Sequence, residues 1–238
     1  MAFNGKERAL MREILGRRRR LLLKLRRRRG GSSPVPGAAL TCATEWGWPV
    51  LPGIGLVPDG DRADRCGCLR PDCAVPGAHP HDPELLAATT DARMVRWWWS
   101  NRPTAPMILA TGGRAPCAVS LPAVAAARAL AELDLRGVRI GPVVAAPTRW
   151  ALLVAPYSLE QLGELLHSQD WVPAVLRFHG EGGYLALPPS RTGAGQVRWE
   201  RAPLPGSAAP WLPDVEAVVD AVVKASTGTP GGGSRLPY

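Results

Sequence analysis

The most constraining feature of the sequence is a group of cysteine and histidine residues, Cys66, Cys68, Cys73 and His79, that spans fourteen residues. It lies in a segment, residues 52–83, that is rich in Gly, Pro and Asp and has no periodic pattern of apolar residues. A stretch of this length without periodicity is usually functional or is held by something other than its own core. Three thiolates and one imidazole are a common structural zinc set, so we expect a zinc ion at these four residues.

Alternatives remain open for this group. The Cys-x-Cys spacing is tighter than the gap in most zinc sites, and it also suits a redox thiol pair or a loop whose cysteines have no joint role. His81 is an alternative fourth ligand. Cys42 and Cys117 lie in apolar surroundings, which favours plain core positions for both.

The positive charge of the chain is concentrated at its N-terminus. The 238 residues carry a formal net charge of +9, but residues 1–29 alone carry +10 and the remainder carries −1. We expect residues 1–33 to form an Arg-rich helical tail and a linker that binds DNA, RNA or an anionic membrane surface, or else stays a nonspecific solvated extension. The candidate contacts are the arginines of its two runs, Arg17, Arg18, Arg19, Arg20, Arg26, Arg27, Arg28 and Arg29.

The remaining pattern predicts one α+β domain over residues 34–226 and a disordered tail over 227–238, because helices and strands mix without strict alternation. Predicted helices cover 37–46, 90–100, 122–133, 158–167 and 213–226. Predicted strands cover 107–110, 117–121, 143–146, 150–154, 174–178, 184–187 and 196–199.

Two local predictions concern the helix that starts near residue 90. Thr90 is the expected N-cap, and Met94, Val95 and Trp98 are expected to share the buried face. Three consecutive tryptophans, residues 97–99, span about 200° of a helix, so at least one of them must face inward. We therefore expect core packing rather than base stacking by this triplet.

No apolar run approaches the roughly 20 residues that cross a bilayer, and the only N-terminal leucine run is flanked by arginines. These patterns favour a cytoplasmic protein without a signal peptide or a transmembrane segment.

The order of these motifs resembles the bifunctional DNA primase/polymerase N-terminal (prim-pol) family of the archaeo-eukaryotic primase superfamily, in its divergent actinobacterial form. The resemblance covers roughly residues 38–202. Its most specific block is the Gly-Gly-Tyr to Pro-Pro-Ser stretch at residues 182–190. Further matches lie at Trp46-Gly-Trp48-Pro49, at the Cys-rich segment that ends in His79-Pro80, at Thr89-Thr90-Asp91 with the tryptophans, and at Met107–Gly112.

The resemblance implies a primase-like antiparallel sheet module with flanking helices and a Cys/His-rich, zinc-type insertion. It also implies two divalent metals, held by an Asp-x-Asp or Asp-x-Glu pair on a core strand and by a later acidic residue, and a histidine that contacts the phosphates of the incoming nucleotide. Metals in such sites polarise the attacking hydroxyl and neutralise the leaving phosphate.

This sequence departs from the family pattern at each of those positions. The core strand reads Cys117-Ala-Val-Ser120, and no acidic residue lies between residues 114 and 131. Trp150 stands where the family has its histidine, Arg177 where it has the later acid, and Ala78 where it has a lysine. We therefore predict that no catalytic residues remain and that Mg or Mn does not bind.

The expected function is thus that of a catalytically degenerate prim-pol domain that binds nucleotide or nucleic acid, or regulates a partner. Candidates for metal-free phosphate binding are Arg149, Arg177, His179 and Arg191, for which ordinary surface or ion-pair roles are equally open.

Two other functions stay open. An active primase-polymerase with displaced metal ligands would need Glu181 and Glu132 near the cleft. An adaptor protein would dock to a membrane or a protein partner through its basic helix.

Overall fold

The computed structural model describes residues 33–60, 62–204 and 206–227. Five α-helices lie in this part of the chain: α1 (Val35–Leu40), α2 (Ala92–Asn101), α3 (Ala123–Leu135), α4 (Leu159–His167) and α5 (Glu216–Thr227). A π-helical turn, Thr41–Glu45, continues α1, and a short 3-10 helix, Leu85–Ala87, precedes α2. The strands are β1 (Val50–Pro52), β2 (Leu56–Asp59), β3 (Arg62–Cys66), β4 (Met107–Ala110), β5 (Cys117–Pro122), β6 (Val143–Ala145), β7 (Arg149–Val154), β8 (Arg177–His179), β9 (Tyr184–Leu187), β10 (Arg191–Thr192), β11 (Gly195–Gln196) and β12 (Arg198–Arg201).

Two antiparallel sheets organise these elements. The larger one has the strand order β12-β6-β7-β5-β8, and the smaller one has the order β1-β4-β9. The hairpins β2–β3 and β10–β11 lie outside both sheets. Helices combined with antiparallel sheets confirm the predicted α+β class.

The alternation of side chains along β5 separates the two faces of the larger sheet. Cys117, Val119 and Leu121 point into a core that also contains apolar residues of α3, α4 and α5. Ala118 belongs instead to the core on the opposite face, which includes residues of β1, β4, α1 and α2. The side chain of Ser120, two residues after Ala118, therefore projects from this second face.

The helical layer is close-packed because α3 presents small residues. Ala125, Ala126 and Ala129 are fully buried and share one core with Val218 and Val222 of α5. Alanine combines the highest helix propensity with the smallest side chain that a helix can bury, so α3 can approach a neighbouring helix closely. This layer covers one face of the larger sheet, and Ser120 projects from the other.

The start of α2 differs from the sequence prediction. The carboxylate of Asp91, not Thr90, caps the helix, because it accepts hydrogen bonds from the backbone N–H groups of Arg93 and Met94, both at 2.8 Å. A carboxylate satisfies the orphan N–H groups and also interacts favourably with the helix dipole.

The buried face of α2 is partly as predicted. Val95, Trp98 and Trp99 are buried, whereas Trp97 is 61% exposed, which confirms core packing for two of the three tryptophans. The prediction for Met94 was wrong, since its side chain is 44% exposed. The buried face of α2 includes Trp99 instead of Met94. The Trp99 side chain lies in the core and donates a hydrogen bond from Nε1 to the carbonyl oxygen of Ala105.

Most predicted elements are present, with shifted boundaries. Ser158 caps α4 by accepting a hydrogen bond from the N–H of Gln161. The strand expected at 174–178 is β8, Arg177–His179, and the one expected at 196–199 is β12, Arg198–Arg201. None of the helices in the described ranges combines the length and apolarity needed to cross a bilayer.

Candidate metal centre and anion pocket

The four predicted zinc ligands lie together. Cys66, Cys68, Cys73 and His79 each offer one ligand atom, and these atoms are all within 4.8 Å of one another. In a tetrahedral zinc site with Zn–S bonds of about 2.3 Å, two sulfur ligands are separated by about 3.8 Å. The group is therefore compact enough to hold a metal ion, and its three sulfurs and one nitrogen fit zinc.

Hydrogen bonds prepare these side chains for a cation. Nδ1 of His79 lies 2.6 Å from the carbonyl oxygen of Pro80, which can only accept, so Nδ1 carries the proton. The Nε2 atom lies 3.3 Å from Sγ of Cys66. A backbone carbonyl that orients a histidine in this way is typical of metal sites.

The thiols of this group differ in their acidity. Burial alone would raise the pKa of the Cys66 thiol, but the hydrogen bonds with the N–H of Gly77, with Cys68 and with His79 together outweigh it. The pKa of Cys66 is lowered to about 6, which makes it a thiolate at neutral pH. Burial raises the pKa of Cys73 to about 11.

The metal loop, defined as residues 66–79, is fixed to the rest of the domain by its backbone. The carbonyl of His79 accepts a hydrogen bond from the N–H of Ile54 at 3.2 Å. The carbonyl of Pro76 accepts one from the N–H of Gly193, in the β10–β11 turn, at 2.7 Å. The loop thus bridges two segments that are distant in sequence.

A cavity of about 590 Å³ opens on the face of the larger sheet from which Ser120 projects. Ala74, Val75, Pro76 and Ala78 of the metal loop form one of its walls. Tyr184 contributes aromatic surface, whereas Trp150 and Phe178, which also border the cavity, pack against the core on the opposite face of the sheet. Its volume is typical of a small-molecule site.

The charged side chains that line this cavity are all basic. They belong to what we call the polar floor, namely Ser120, Arg149, Arg177 and His179, contributed by β5, β7 and β8. Among the described residues that line the cavity there is no Asp and no Glu. The cavity therefore suits an anion and offers no carboxylate for a divalent cation.

The guanidinium of Arg149 is held in place from two sides. Its Nη2 atom donates hydrogen bonds to the carbonyl oxygens of Ser120, at 2.7 Å, and Val175, at 2.8 Å. Its Nε atom is buried and has no hydrogen-bond partner among the described residues. Burial, together with the charge of Arg177, lowers the pKa of Arg149 to about 10, so it stays cationic at neutral pH.

His179 completes the polar floor. Its Nε2 atom lies 2.9 Å from the hydroxyl oxygen of Ser120, and its Nδ1 atom lies 3.0 Å from the carbonyl oxygen of Tyr184. Burial lowers the pKa of His179, and the charges of Arg149 and Arg177 lower it further against the opposing effect of the Tyr184 carbonyl. The imidazole is therefore mainly neutral at pH 7.

The metal loop and the polar floor both lie within the range of one family model. The family described as "Bifunctional DNA primase/polymerase, N-terminal" matches residues 39–214, which is about three quarters of the chain. The chain belongs to this prim-pol family. Neither the comparison with curated proteins nor that with solved structures gave a match.

Three of the four residues predicted to bind phosphate in this prim-pol domain line the cavity. They are Arg149, Arg177 and His179. Arg191 does not line it, and its guanidinium forms an ion pair with Asp64 at 3.0 Å. The arginines of the predicted N-terminal tail, at positions 17–20 and 26–29, lie outside the described residues.

Sequence reasoning missed Ser120 as a site residue. From the sequence, we noted only that the strand around Ser120 has no acidic residue. The alternation of side chains along a strand could have placed Ser120 on the same face as Ala118.

Glu132 and Glu181, the two acidic residues considered for an active prim-pol, do not line the cavity. Glu132 of α3 forms ion pairs with Arg136 at 2.7 Å and with Lys224 of α5 at 3.3 Å, within the helical layer. Glu181 is exposed after β8 and is not among the residues that line the cavity. Trp150, expected in place of the family histidine, packs against the helical core and lies 5.8 Å below the guanidinium of Arg198.

Proposed function

We propose that this prim-pol domain binds the phosphates of a nucleotide in the cavity above the polar floor, without a catalytic metal and without polymerising nucleotides. The observation that carries the proposal is that Arg149 and Arg177 line one cavity and are so close that the charge of Arg177 contributes to lowering the pKa of Arg149. No acidic side chain lines the same cavity to compensate these two charges. Two cations at one pocket repel each other, and a bound anion relieves that repulsion.

The binding mode follows from the hydrogen-bond donors of the two arginines, Arg149 and Arg177. Arg149 is pre-oriented by its bonds to two carbonyls, so little conformational freedom is lost when it meets a phosphate. Arg177 is exposed and has no ion-pair partner among the described residues, which leaves its guanidinium available for a second phosphate oxygen. Tyr184, together with Ala74, Val75 and Pro76 of the metal loop, supplies apolar surface against which a base can pack.

The metal loop has a structural role in this proposal. We assign zinc to Cys66, Cys68, Cys73 and His79, where the ion would hold a segment that has few apolar residues of its own. Its effect on the nucleotide would be indirect, because the loop forms a wall of the cavity. In the same proposal, the basic N-terminal segment adds a separate contact with nucleic acid or another polyanion.

The test is isothermal titration calorimetry with dATP in buffer that contains neither Mg nor Mn. We expect binding by the full chain and an affinity about tenfold lower for Arg177→Gln, since a charge-assisted hydrogen bond contributes roughly 1.5–3 kcal/mol. Arg191→Gln is the matched control, because Arg191 is an exposed arginine outside the cavity. Equal affinities of the two variants, or no binding by the wild type, would refute the proposal.

A further inference from the structure

The polar floor contains an arrangement that anion binding does not require. The hydroxyl of Ser120 and Nε2 of His179 are 2.9 Å apart, although the two residues are separated by 59 positions in the chain. Both residues line the cavity, and Ser120 is 4% exposed.

The proton positions follow from the partners. The carbonyl oxygen of Tyr184 can only accept, so Nδ1 of His179, at 3.0 Å, donates to it. Burial and the neighbouring arginines lower the pKa of His179, which keeps the imidazole neutral and leaves a lone pair on Nε2. The hydroxyl of Ser120 then donates its proton to that lone pair. A nucleophile, a base and a group that orients the base are thus in line.

The surrounding charges indicate which substrate would suit this arrangement. Nη2 of Arg149 lies 3.4 Å from the hydroxyl oxygen of Ser120 and carries positive charge next to the reacting oxygen. Arg177 adds a second positive charge nearby. Such charges stabilise the negative oxygens of a phosphoryl group in the transition state more than they would a neutral acyl group.

We propose that Ser120 is a nucleophile toward phosphate esters, with His179 as its general base and Arg149 as the group that stabilises the phosphoryl oxygens. The choice of a phosphate substrate rests on the proposed function. The reaction itself, metal-independent hydrolysis of a phosphate ester through a phosphoserine, goes beyond it.

In the first step the hydroxyl oxygen of Ser120 forms a bond to phosphorus while the bond from phosphorus to the leaving oxygen breaks with its electron pair. The hydroxyl proton passes to Nε2 of His179 and from there to the leaving oxygen. In the second step water attacks phosphorus of the phosphoserine, His179 takes a proton from that water, and the proton returns to the oxygen of Ser120. The net reaction consumes one water and releases an alcohol and inorganic phosphate.

The experiment uses a fluorophosphonate probe, a phosphorus electrophile that loses fluoride when an activated serine attacks it, with peptide mass spectrometry to locate the label. We expect labelling of Ser120 in the folded full-length protein. His179→Asn keeps a donor for the carbonyl of Tyr184 but removes the base, so labelling should slow by about 10²–10⁴-fold. Ser100→Ala is the control, because Ser100 is an exposed serine of α2 that should neither carry the label nor affect it.

An unlabelled Ser120 in the wild type, or an equal rate in His179→Asn, would overturn the proposal. If thermal melting shows that His179→Asn does not fold, His179→Gln replaces it. In either case, the absence of label on Ser120 in the wild-type protein is enough to refute the proposal. Calorimetry with dATP on the same samples separates the two proposals. Binding of dATP without labelling refutes only the nucleophile, and labelling without dATP binding refutes only the nucleotide site.

Discussion

The backbone N–H of Gly193 donates a hydrogen bond of 2.7 Å to the carbonyl oxygen of Pro76, which joins the β10–β11 hairpin to the metal loop. Residues on both sides of this bond line the cavity, including Pro76 itself and Ala194. The metal loop and the β10–β11 hairpin are therefore connected walls of one cavity, although no ligand side chain of the metal centre lines it. Loss of the metal should therefore change the shape of the cavity.

Removal of the metal should weaken nucleotide binding. We expect about one zinc per purified chain, as a closed four-ligand site implies, and a lower dATP affinity after chelation because the wall at Ala74–Ala78 loses its support. Elemental analysis gives the metal content, and calorimetry before and after dialysis gives the affinity. Cys73→Ser should have the same effect, while Cys42→Ala, which changes a buried cysteine outside the metal group, should keep the metal. A protein with no zinc and with all three thiols freely titratable would exclude the site.

The substitution Gly193→Ala should separate the hairpin from the metal loop. A Cβ at this position would lie 2.7 Å from Cβ of Pro76, well inside van der Waals contact, so backbone must shift. We expect a lower melting temperature and weaker dATP binding. Gly163→Ala in α4 is the matched control, because a Cβ there meets nothing within 4 Å and alanine favours the helix. If both variants bound dATP as the wild type does, the connection between loop and pocket would be wrong.

His179 should make the stability of the domain depend on pH. Its pKa is lowered in the folded protein by burial and by the charges of Arg149 and Arg177, so below pH about 6.5 the unfolded chain binds more protons at this residue than the folded one. The free energy of unfolding should therefore fall as the pH drops from about 6.5 to the lowered folded-state pKa. Thermal melting of the wild type and His179→Asn between roughly pH 5 and pH 7.5 isolates this contribution. The difference between the two proteins should shrink on acidification, and a constant difference would contradict the prediction.

The protein should show neither primer synthesis nor primer extension with Mg or Mn. Two-metal phosphoryl transfer needs carboxylates that hold both ions about 3.5–4 Å apart, and no carboxylate lines the cavity among the described residues. Gel-based extension assays with both metals measure this, next to an active prim-pol as a positive control. Metal-dependent extension that is lost in Glu181→Gln or Glu132→Gln would restore the active-enzyme hypothesis.

Deletion of residues 1–33 should abolish salt-sensitive binding to polyanions and leave the melting temperature nearly unchanged. The first 29 residues carry a net charge of +10, against −1 for the rest of the chain. Binding through phosphates weakens steeply with salt because counterions are released. Fluorescence anisotropy with a short DNA duplex at several salt concentrations tests this, and anionic vesicles distinguish a membrane partner. A truncated protein with the same salt dependence on DNA would contradict the prediction.

The metal centre and the α+β class were accessible from the sequence. Cys66, Cys68, Cys73 and His79 are close in the chain, so their encounter needs only a tight loop and no knowledge of strand pairing. The absence of acidic residues between positions 114 and 131 is likewise a property of the sequence and does not depend on the fold. The burial of Trp98 follows from the helical period, whereas that of Trp99 was not predicted.

The polar floor was decided by tertiary structure. Ser120, Arg149 and His179 are brought together by the pairing of β5 with β7 and β8, in which Ser120 lies opposite Ala151 and Arg177. Strand register fixes which side chains share a face, and a shift of one residue would turn Ser120 toward the helices. The sequence determined which residues could bind a metal and that this strand has no carboxylates. Only the register of β5, β7 and β8 placed Ser120 within hydrogen-bond distance of His179, in a cavity that Arg149 and Arg177 also line. That register is set by the packing of two cores on opposite faces of one sheet.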